Sequence, residues 1–402
     1  MKILFLPQNY LPNVSGVPIV VKYLAEGLLA KGYDVAVATT SFKDEPLIDN
    51  INGVKVFRFN MYKDWKHSYV GDVGKYVDFV KQYDADINIL ECSQCITTDL
   101  LLPYLEILRG KKIFHSHGFS GMELKPFALK GDLKHTIGNT INWLQSKVYF
   151  RHTLKNAMAH IDASLCLSEV DSSREYLDEH CKKNYILDNA ANDMFFDVDI
   201  CMKDTLGKYT QLQHPRFLVS CANYQFIKNQ KDIIRQFYLS ESSKTISLVC
   251  IGMAINDYYR ECEAIVSQME KEIGHRDVHL LHGVDRKDIP SIINKAKLYL
   301  VGSRQEQYSI SIIEAMSQGV PFISTNVGNA RVLPGGYTIN NIDEMHTMID
   351  RLLSDKVLYS KYSGAGKKFA YENCRIPAVV DKLESIIKTL VYDNSKSMGR
   401  YR

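Results

Sequence analysis

Short runs of Ile, Val, Leu and Phe alternate with amphipathic stretches of helical length, and the rhythm begins at the first residue. A run of that kind that gives way to a 3.6-residue period reads as a strand feeding a crossover helix, so the chain is expected to be α/β with parallel sheets. In the first half the predicted strands are Lys2 to Leu6, Asp34 to Ala38, Val54 to Phe59, Ile87 to Leu90, Lys112 to His115, Ala163 to Leu167 and Asn184 to Leu187. The pattern restarts with Arg216 to Cys221, Ile246 to Ile251, Val278 to Leu281, Leu298 to Val301 and Pro321 to Ser324. Two doubly wound sheets follow, in domains 1–188 and 189–374. Between them Asp188 to Pro215 has polar breaks, a His-Pro and no sustained periodicity, and reads as the linker. Residues 375–402 form a final segment. Its amphipathic part, Pro377 to Leu390, places Val380, Leu383, Ile387 and Leu390 on one side, and its polar tail from Asp393 is expected to fray.

A length of 402 residues suits two such domains, and 46% hydrophobic with 24% charged residues excludes a disordered chain. The 49 basic and 46 acidic residues leave a formal charge of +3, too little for a chain-wide nucleic-acid binder, so no nucleic-acid partner is expected. The apolar run before Pro7 is too short for a signal peptide, and no window approaches the ~18 apolar residues of a membrane span. A cytoplasmic protein is expected. Its nine cysteines sit mostly in apolar runs, as reduced core thiols do. Cys92-Ser-Gln-Cys95 lacks a second pair at zinc spacing.

A doubly wound sheet binds ligands beyond the carboxyl ends of its strands, which directs the search to the loops there. The loop after the first strand is long and lacks GxGxxG, which counts against a dehydrogenase. Its Gly16 and Pro18 precede a helix from Ile19 to Ala30, where backbone amides could meet an anion. His115 and His117 end a strand on one face, placed to hydrogen-bond a polar substrate. In Asn223-Tyr-Gln-Phe-Ile-Lys228-Asn229, a cation stands close to a helix start, an arrangement suited to a diphosphate. The most informative segment is Ser303-Arg304-Gln305-Glu306-Gln-Tyr308-Ser309-Ile310-Ser-Ile-Ile-Glu314-Ala-Met-Ser-Gln318-Gly319-Val-Pro321. Glu306 falls at a strand's carboxyl end. Glu314 lies inside an apolar helix, where a carboxylate needs a partner; a ribose diol would serve, and the alternative is a head that reaches solvent or a nearby Lys.

Glu306, seven residues and Glu314, followed by Ala-Met-x-x-Gly-x-Pro, resemble the signature of the retaining GT-B glycosyltransferases of family four, the group one glycosyltransferases. Gly16, His117, Asn189 to Phe195, Lys228-Asn229, Gly252 and Gly283-Val284 fall in the family's order, so the resemblance runs from Met1 to about Leu390. It implies GT-B architecture, two Rossmann-like domains facing across a cleft. The donor would be a nucleotide-sugar, a UDP-sugar favoured, held by the C-terminal domain, with the final helix crossing back to the N-terminal domain. Glu306 matches the residue that contacts the donor sugar, Glu314 the ribose ligand, and Lys228 the diphosphate cation. His117 matches the histidine near the reacting sugar, Gly16 the phosphate-side loop, Val284 the backbone beside the base, and Gly252 a donor-side glycine.

The same resemblance implies that Lys228 and the Ser309 and Ile310 amides stabilise the leaving diphosphate, with no protein nucleophile, cofactor or metal. Asp84-Ala-Asp86 and Asp197-Val-Asp199 are discounted as metal sites because neither ends a strand. Two departures stand out: Asn223 occupies the place of a family Arg, for which its own amide as a donor-binding group, or Arg304, is a candidate substitute, and Ser309 the place of a Gly. A GT-B nucleotide-sugar epimerase and a non-catalytic GT-B partner subunit are the alternatives. Finally, Lys125, Lys130, Lys134, Lys147, Arg151 and Lys155 stand against Asp132 alone. With Ile137, Ile141, Leu144 and Val148 expected to face the core, Lys147, Arg151 and Lys155 form a basic ridge suited to an anionic membrane. The expected acceptor is thus a lipid-linked or membrane-associated glycan, met by a protein peripheral on the inner face of the plasma membrane.

Overall fold

Ile3, Leu4, Phe5 and Leu6 are all fully buried, as a central strand of a parallel sheet must be when helices cover both its faces. In the computed structural model, which describes residues 1–13, 16–42, 45–65, 68–119, 122, 133–209, 212 and 216–398, they form strand β1 (Lys2–Leu6). The chain divides into two units, Met1–Asp188 with Ile376–Arg402, and Asn189–Arg375.

The first unit holds β2 (Asp34–Thr40), β3 (Ile48–Ile51), β4 (Val54–Phe59), β5 (Met61–Lys63), β6 (Tyr69–Gly71), β7 (Ile87–Glu91), β8 (Lys111–His115), β9 (Ala163–Cys166) and β10 (Asn184–Ile186). Its eight-stranded sheet runs β10-β9-β8-β7-β1-β2-β4-β3, parallel except for β3 on the edge, and β5 and β6 make a separate hairpin. The second unit holds β11 (Phe217–Cys221), β12 (Ser247–Gly252), β13 (Val278–His282), β14 (Tyr299–Val301), β15 (Phe322–Thr325) and β16 (Gly336–Ile339). They pair in the order β13-β12-β11-β14-β15-β16, all parallel. Every predicted strand is present with its ends moved by at most two residues. The strands not predicted, β3, β5, β6 and β16, are short or lie at a sheet edge, where one flank needs no apolar cover.

The helix Gly16–Ala30 starts three residues earlier than expected. It is met by the last helix, Ile376–Met398, which belongs to the first unit. A Cβ on Gly27 would stand 2.5 Å from a Val380 methyl, so the absent side chain sets how closely these two helices approach. Around that contact Lys31 pairs with Asp381 and Glu384, Tyr33 donates to Glu384, and Lys382 reaches Asp188. The last helix continues to Met398 rather than fraying from Asp393. After Pro377 in its first turn, no Pro or Gly interrupts it before Gly399.

A second expectation is overturned. Ile141, Leu144 and Val148 do not face the core; they are 49%, 53% and 62% exposed. The helix Leu133–Val148 passes directly into a π turn, Tyr149–Leu154, and the inward face is Ser146, Phe150 and Leu154. A π turn carries an extra residue, so the periodicity of the flanking helix no longer predicts which side is buried. Polar anchors fix the rotation. Gln94 Nε2 donates to Ser146 Oγ at 3.0 Å, and Tyr149 Oη donates to Asp99 Oδ1 at 2.6 Å. Lys147, Arg151 and Lys155 are exposed, as the ridge requires. Lys125, Lys130 and Asp132 lie outside the described residues, as do the side chains of Lys134 and Ile137.

Candidate active site

In the second unit the strand order reverses between β11 and β14, and the loops after those two strands diverge to opposite faces of the sheet, leaving a crevice at their carboxyl ends. Lys228 lies in the first loop and Glu306 in the second. Lys228 Nζ donates to Glu306 Oε1 at 2.5 Å, and Ser303 Oγ donates to the same oxygen at 2.8 Å. The loops are locked together beside this pair, since the Arg304 N–H donates to the Ile227 carbonyl at 2.8 Å. The Arg304 guanidinium bonds Asn229 Oδ1 and Asp232 and lies over the Phe226 ring. Arg304 therefore braces the Lys228 loop and is not a free cation in place of Asn223, whose side chain is exposed.

Glu314 sits in the helix Ile310–Ser317 with its side chain 4% exposed. Burial pushes its pKa up, opposed by the guanidinium of Arg286, to which it is hydrogen-bonded. Ser309 caps this helix, but its N–H donates to Asn329 Oδ1 at 2.7 Å. The amide expected to face a diphosphate is thus taken by a buried side chain, leaving Ile310 to open the helix with an N–H that has no partner within it. Gly252 ends β12 beneath the Tyr224 ring, where a Cβ would stand 2.3 Å from a ring carbon. Its smallness serves this packing. Val284 is partly buried in the loop after β13.

In the first unit the reversal falls between β1 and β7. His117, just past β8, has a left-handed backbone, φ 54°, and a buried ring. Its Nε2 lies 2.5 Å from Glu91 Oε2, at the end of β7, and the Glu91 carboxylate is fully buried. His115 Nδ1 approaches the same oxygen at 3.1 Å without hydrogen-bond alignment, and the two imidazoles stack with centroids 3.8 Å apart. Burial opposes charge on Glu91, yet attraction to the two histidines and the hydrogen bond with His117 hold its pKa down to about 2. Burial and the charge of His115 lower the pKa of His117 against the pull of Glu91, which favours a neutral ring able to donate or accept. Among the described residues these three are the one set of possible metal ligands with all donor atoms within 4.8 Å. Gly16 opens its helix with φ 43° and nothing near the place of a Cβ.

Sequence reasoning missed Glu91 and Arg286. The first had a signal, an acid ending the run Ile87-Asn-Ile-Leu-Glu91 at a strand's carboxyl end; the second had none in its spacing. Cys92 and Cys95 are free thiols whose pKa values burial raises, which leaves them poor nucleophiles. Both Asp-x-Asp strings have structural occupations. Asp86 accepts from the Lys2 N–H, Asp84 pairs with Arg109, and Asp197 caps a helix through the Ile200 N–H.

Residues 207–369 match the family model described as glycosyl transferases group 1. The chain is 22% identical over 193 residues to the N-acetyl-alpha-D-glucosaminyl L-malate synthase of Bacillus anthracis, a match spanning 46% of this chain and about half (49%) of that protein. It is 21% identical over 406 residues to the uncharacterized glycosyltransferase MJ1607 of Methanocaldococcus jannaschii, covering 92% of this chain and 94% of the other. Among solved structures, sucrose-phosphate synthase from Thermosynechococcus elongatus superposes with a TM-score of 0.68 at 13% identity, over 98% and 99% of the two chains. Anabaena HepE in complex with UDP gives 0.70 at 15%, over 97% and 100%. Residues 207–369, most of the second unit, thus match the group 1 glycosyl transferases, and the chain as a whole has the GT-B fold.

Proposed function

We propose that the protein is a retaining, metal-independent hexosyltransferase. It moves a sugar from a UDP-sugar to a lipid-linked or membrane-associated glycan in the synthesis of cell-surface polysaccharide or glycoconjugate. The observation that carries the reading is the Lys228–Glu306 pair at the β11/β14 crevice, a cation for a diphosphate beside an acid for sugar hydroxyls. A UDP donor draws support from two proteins of this fold, Anabaena HepE in complex with UDP-glucose and the E. coli protein bound with UDP-2-fluoro glucose.

The chemistry follows from where charge develops. As the bond from the anomeric carbon to the diphosphate oxygen breaks, negative charge grows on the phosphate and positive charge on the sugar. Lys228 and the Ile310 amide stabilise the first. Glu306 holds the sugar hydroxyls and Glu314 the ribose. The acceptor oxygen bonds the anomeric carbon on the same face and passes its proton to the departing phosphate. His117, oriented by Glu91, hydrogen-bonds the sugar near the reacting centre, and Gly16 leaves its loop open to the phosphate side. No resident cofactor takes part.

The membrane-associated acceptor rests on the exposed strip of Ile141, Leu144 and Val148 beside Lys147, Arg151 and Lys155. Apolar residues suited to the headgroup region, flanked by cations for anionic lipid, support a protein peripheral on the inner face of the plasma membrane. Among the described residues no helix is long and apolar enough to cross a membrane. Incubation of radiolabelled UDP-sugar with and without a membrane extract tests the whole reading. Labelled glycolipid that forms only with extract supports it. Conversion of the donor without extract would indicate an epimerase, and no product in either case a binding subunit.

A further inference from the structure

The loops after β11, β13 and β14 carry four cations, and each is paired with an acid. In three of the pairs both partners have broadly similar exposure: Lys228 with Glu306, Arg304 with Asp232, and Lys287 with Asp285. The fourth is lopsided. Glu314 is sealed at 4% while Arg286 is 57% exposed, so the pair shows solvent a guanidinium and hides its counter-charge. Arg286 Cζ also lies over the Phe195 ring, 5.1 Å from its centroid, which holds the group from a second side.

Cys221, the last residue of β11, lies close enough to feel the charges of both Glu314 and Arg286. Arg286 stands in the loop after β13 and Glu314 in the helix that follows the Glu306 loop, so the pair lies at the same carboxyl edge of the sheet as Lys228. Asn223, in that loop, brings no charge. Lys228 is already neutralised by Glu306, and one compensated cation is a poor match for the two or three charges of a nucleoside diphosphate. A guanidinium has five N–H donors in a planar fork, so an Arg bound to one carboxylate keeps donors for a second anion.

We infer that Arg286 is a donor-binding residue that supplies the second cation of the diphosphate site while sharing Glu314 with the ribose. Before the donor arrives, Arg286 satisfies a carboxylate that would otherwise be buried alone. When the donor binds, the ribose hydroxyls join Arg286 on Glu314, and the outward N–H groups of the guanidinium take a phosphate oxygen. This rests on the nucleotide-sugar reading above and adds to it a residue and a role.

The test compares UDP with uridine. Calorimetry gives the Kd of UDP for the wild type, Arg286→Ala and Arg286→Lys, and competition against UDP gives that of uridine; thermal midpoints show that each variant is folded. Arg286→Ala should weaken UDP at least 10-fold and change uridine less than 2-fold, with Arg286→Lys recovering part of the loss. Equal weakening of both ligands would overturn the diphosphate role and leave Arg286 a mere prop for Glu314. Unchanged or tighter UDP binding would overturn it too, making Arg286 a plug. If the wild type binds neither UDP, GDP nor ADP, the donor reading itself fails, a result separable from a failure confined to the variants.

Discussion

Lys228 Nζ and Glu306 Oε1 stand 2.5 Å apart, so before any donor binds the cation and the acid of the crevice hold each other in place. Alanine at either position should lower kcat by about 100 to 1000-fold, the usual cost of losing one charge-stabilising group. Because each positions the other, Lys228→Ala/Glu306→Ala should be little worse than the poorer single variant. Steady-state kinetics on the three variants decide this. Near-wild-type turnover in Lys228→Ala would remove it from the diphosphate role, and fully additive losses would mean the pair does not act as a unit.

Glu91 gives the first unit a dependence on acid pH. Its folded pKa, about 2, lies below its ordinary value of 4.5, so the ionised form is the one the fold favours. The stability it contributes is fully present above about pH 4.5 and is lost as pH falls through about 2. Thermal midpoints between pH 5 and pH 2 should fall more steeply for the wild type than for Glu91→Gln, which has no carboxylate to protonate. Parallel curves would show that the histidines do not hold this charge. At neutral pH the same variant should lower kcat more than it raises KM, since Glu91 acts by orienting His117.

The last helix is cemented to the first unit at a point where no side chain fits. Gly27→Ala would place a methyl within 3 Å of Val380 and should cost about 1 to 3 kcal/mol, as overpacking does. Val380→Ala in the Gly27→Ala background should restore part of the loss. Truncation before Pro377 should lower the midpoint of the first unit further, because it uncovers the whole of that helix surface. Urea unfolding followed by near-UV dichroism reads all of these, and a truncated chain with an unchanged transition would contradict the packing.

Much of this molecule is legible in its residues because a parallel strand buried on both faces must be nearly continuously apolar, and Ile3-Leu-Phe-Leu6 or Leu248-Val-Cys-Ile251 can hardly be anything else. The turn chemistry that ends those strands places Lys228 and Glu306 on loops, and the reversal of strand order brings those loops together. Three things were not legible. The N–H of Ser309 is taken by Asn329, 20 residues away, and the carboxylate of Glu314 by Arg286, 28 residues away. Only the folded sheet makes such residues neighbours. The face of the Leu133–Val148 helix was misread because the π turn and the bonds to Gln94 and Asp99, rather than apolar spacing, set its rotation.

That correction changes the prediction about the membrane. Had Ile141, Leu144 and Val148 faced the core, only the basic ridge would be available, and its attraction to lipid would vanish at high salt. With these three exposed beside Lys147, Arg151 and Lys155, the surface has both an apolar strip to insert and cations to steer it, with Lys147 lying over the Trp143 ring at 5.7 Å. Binding should then have two components. Sedimentation with vesicles containing anionic lipid should show tight binding at low salt that weakens but persists as salt rises. A Lys147/Arg151/Lys155→Glu variant should lose most of the low-salt binding, since each cation near an anionic surface contributes about 1 kcal/mol. An Ile141/Leu144/Val148→Ser variant should keep low-salt binding and lose the salt-resistant part. As these side chains are already in water, neither variant should lower the thermal midpoint. Equal pelleting of all three proteins, or none at low salt, would place the acceptor in solution and turn this face into an ordinary solvated helix.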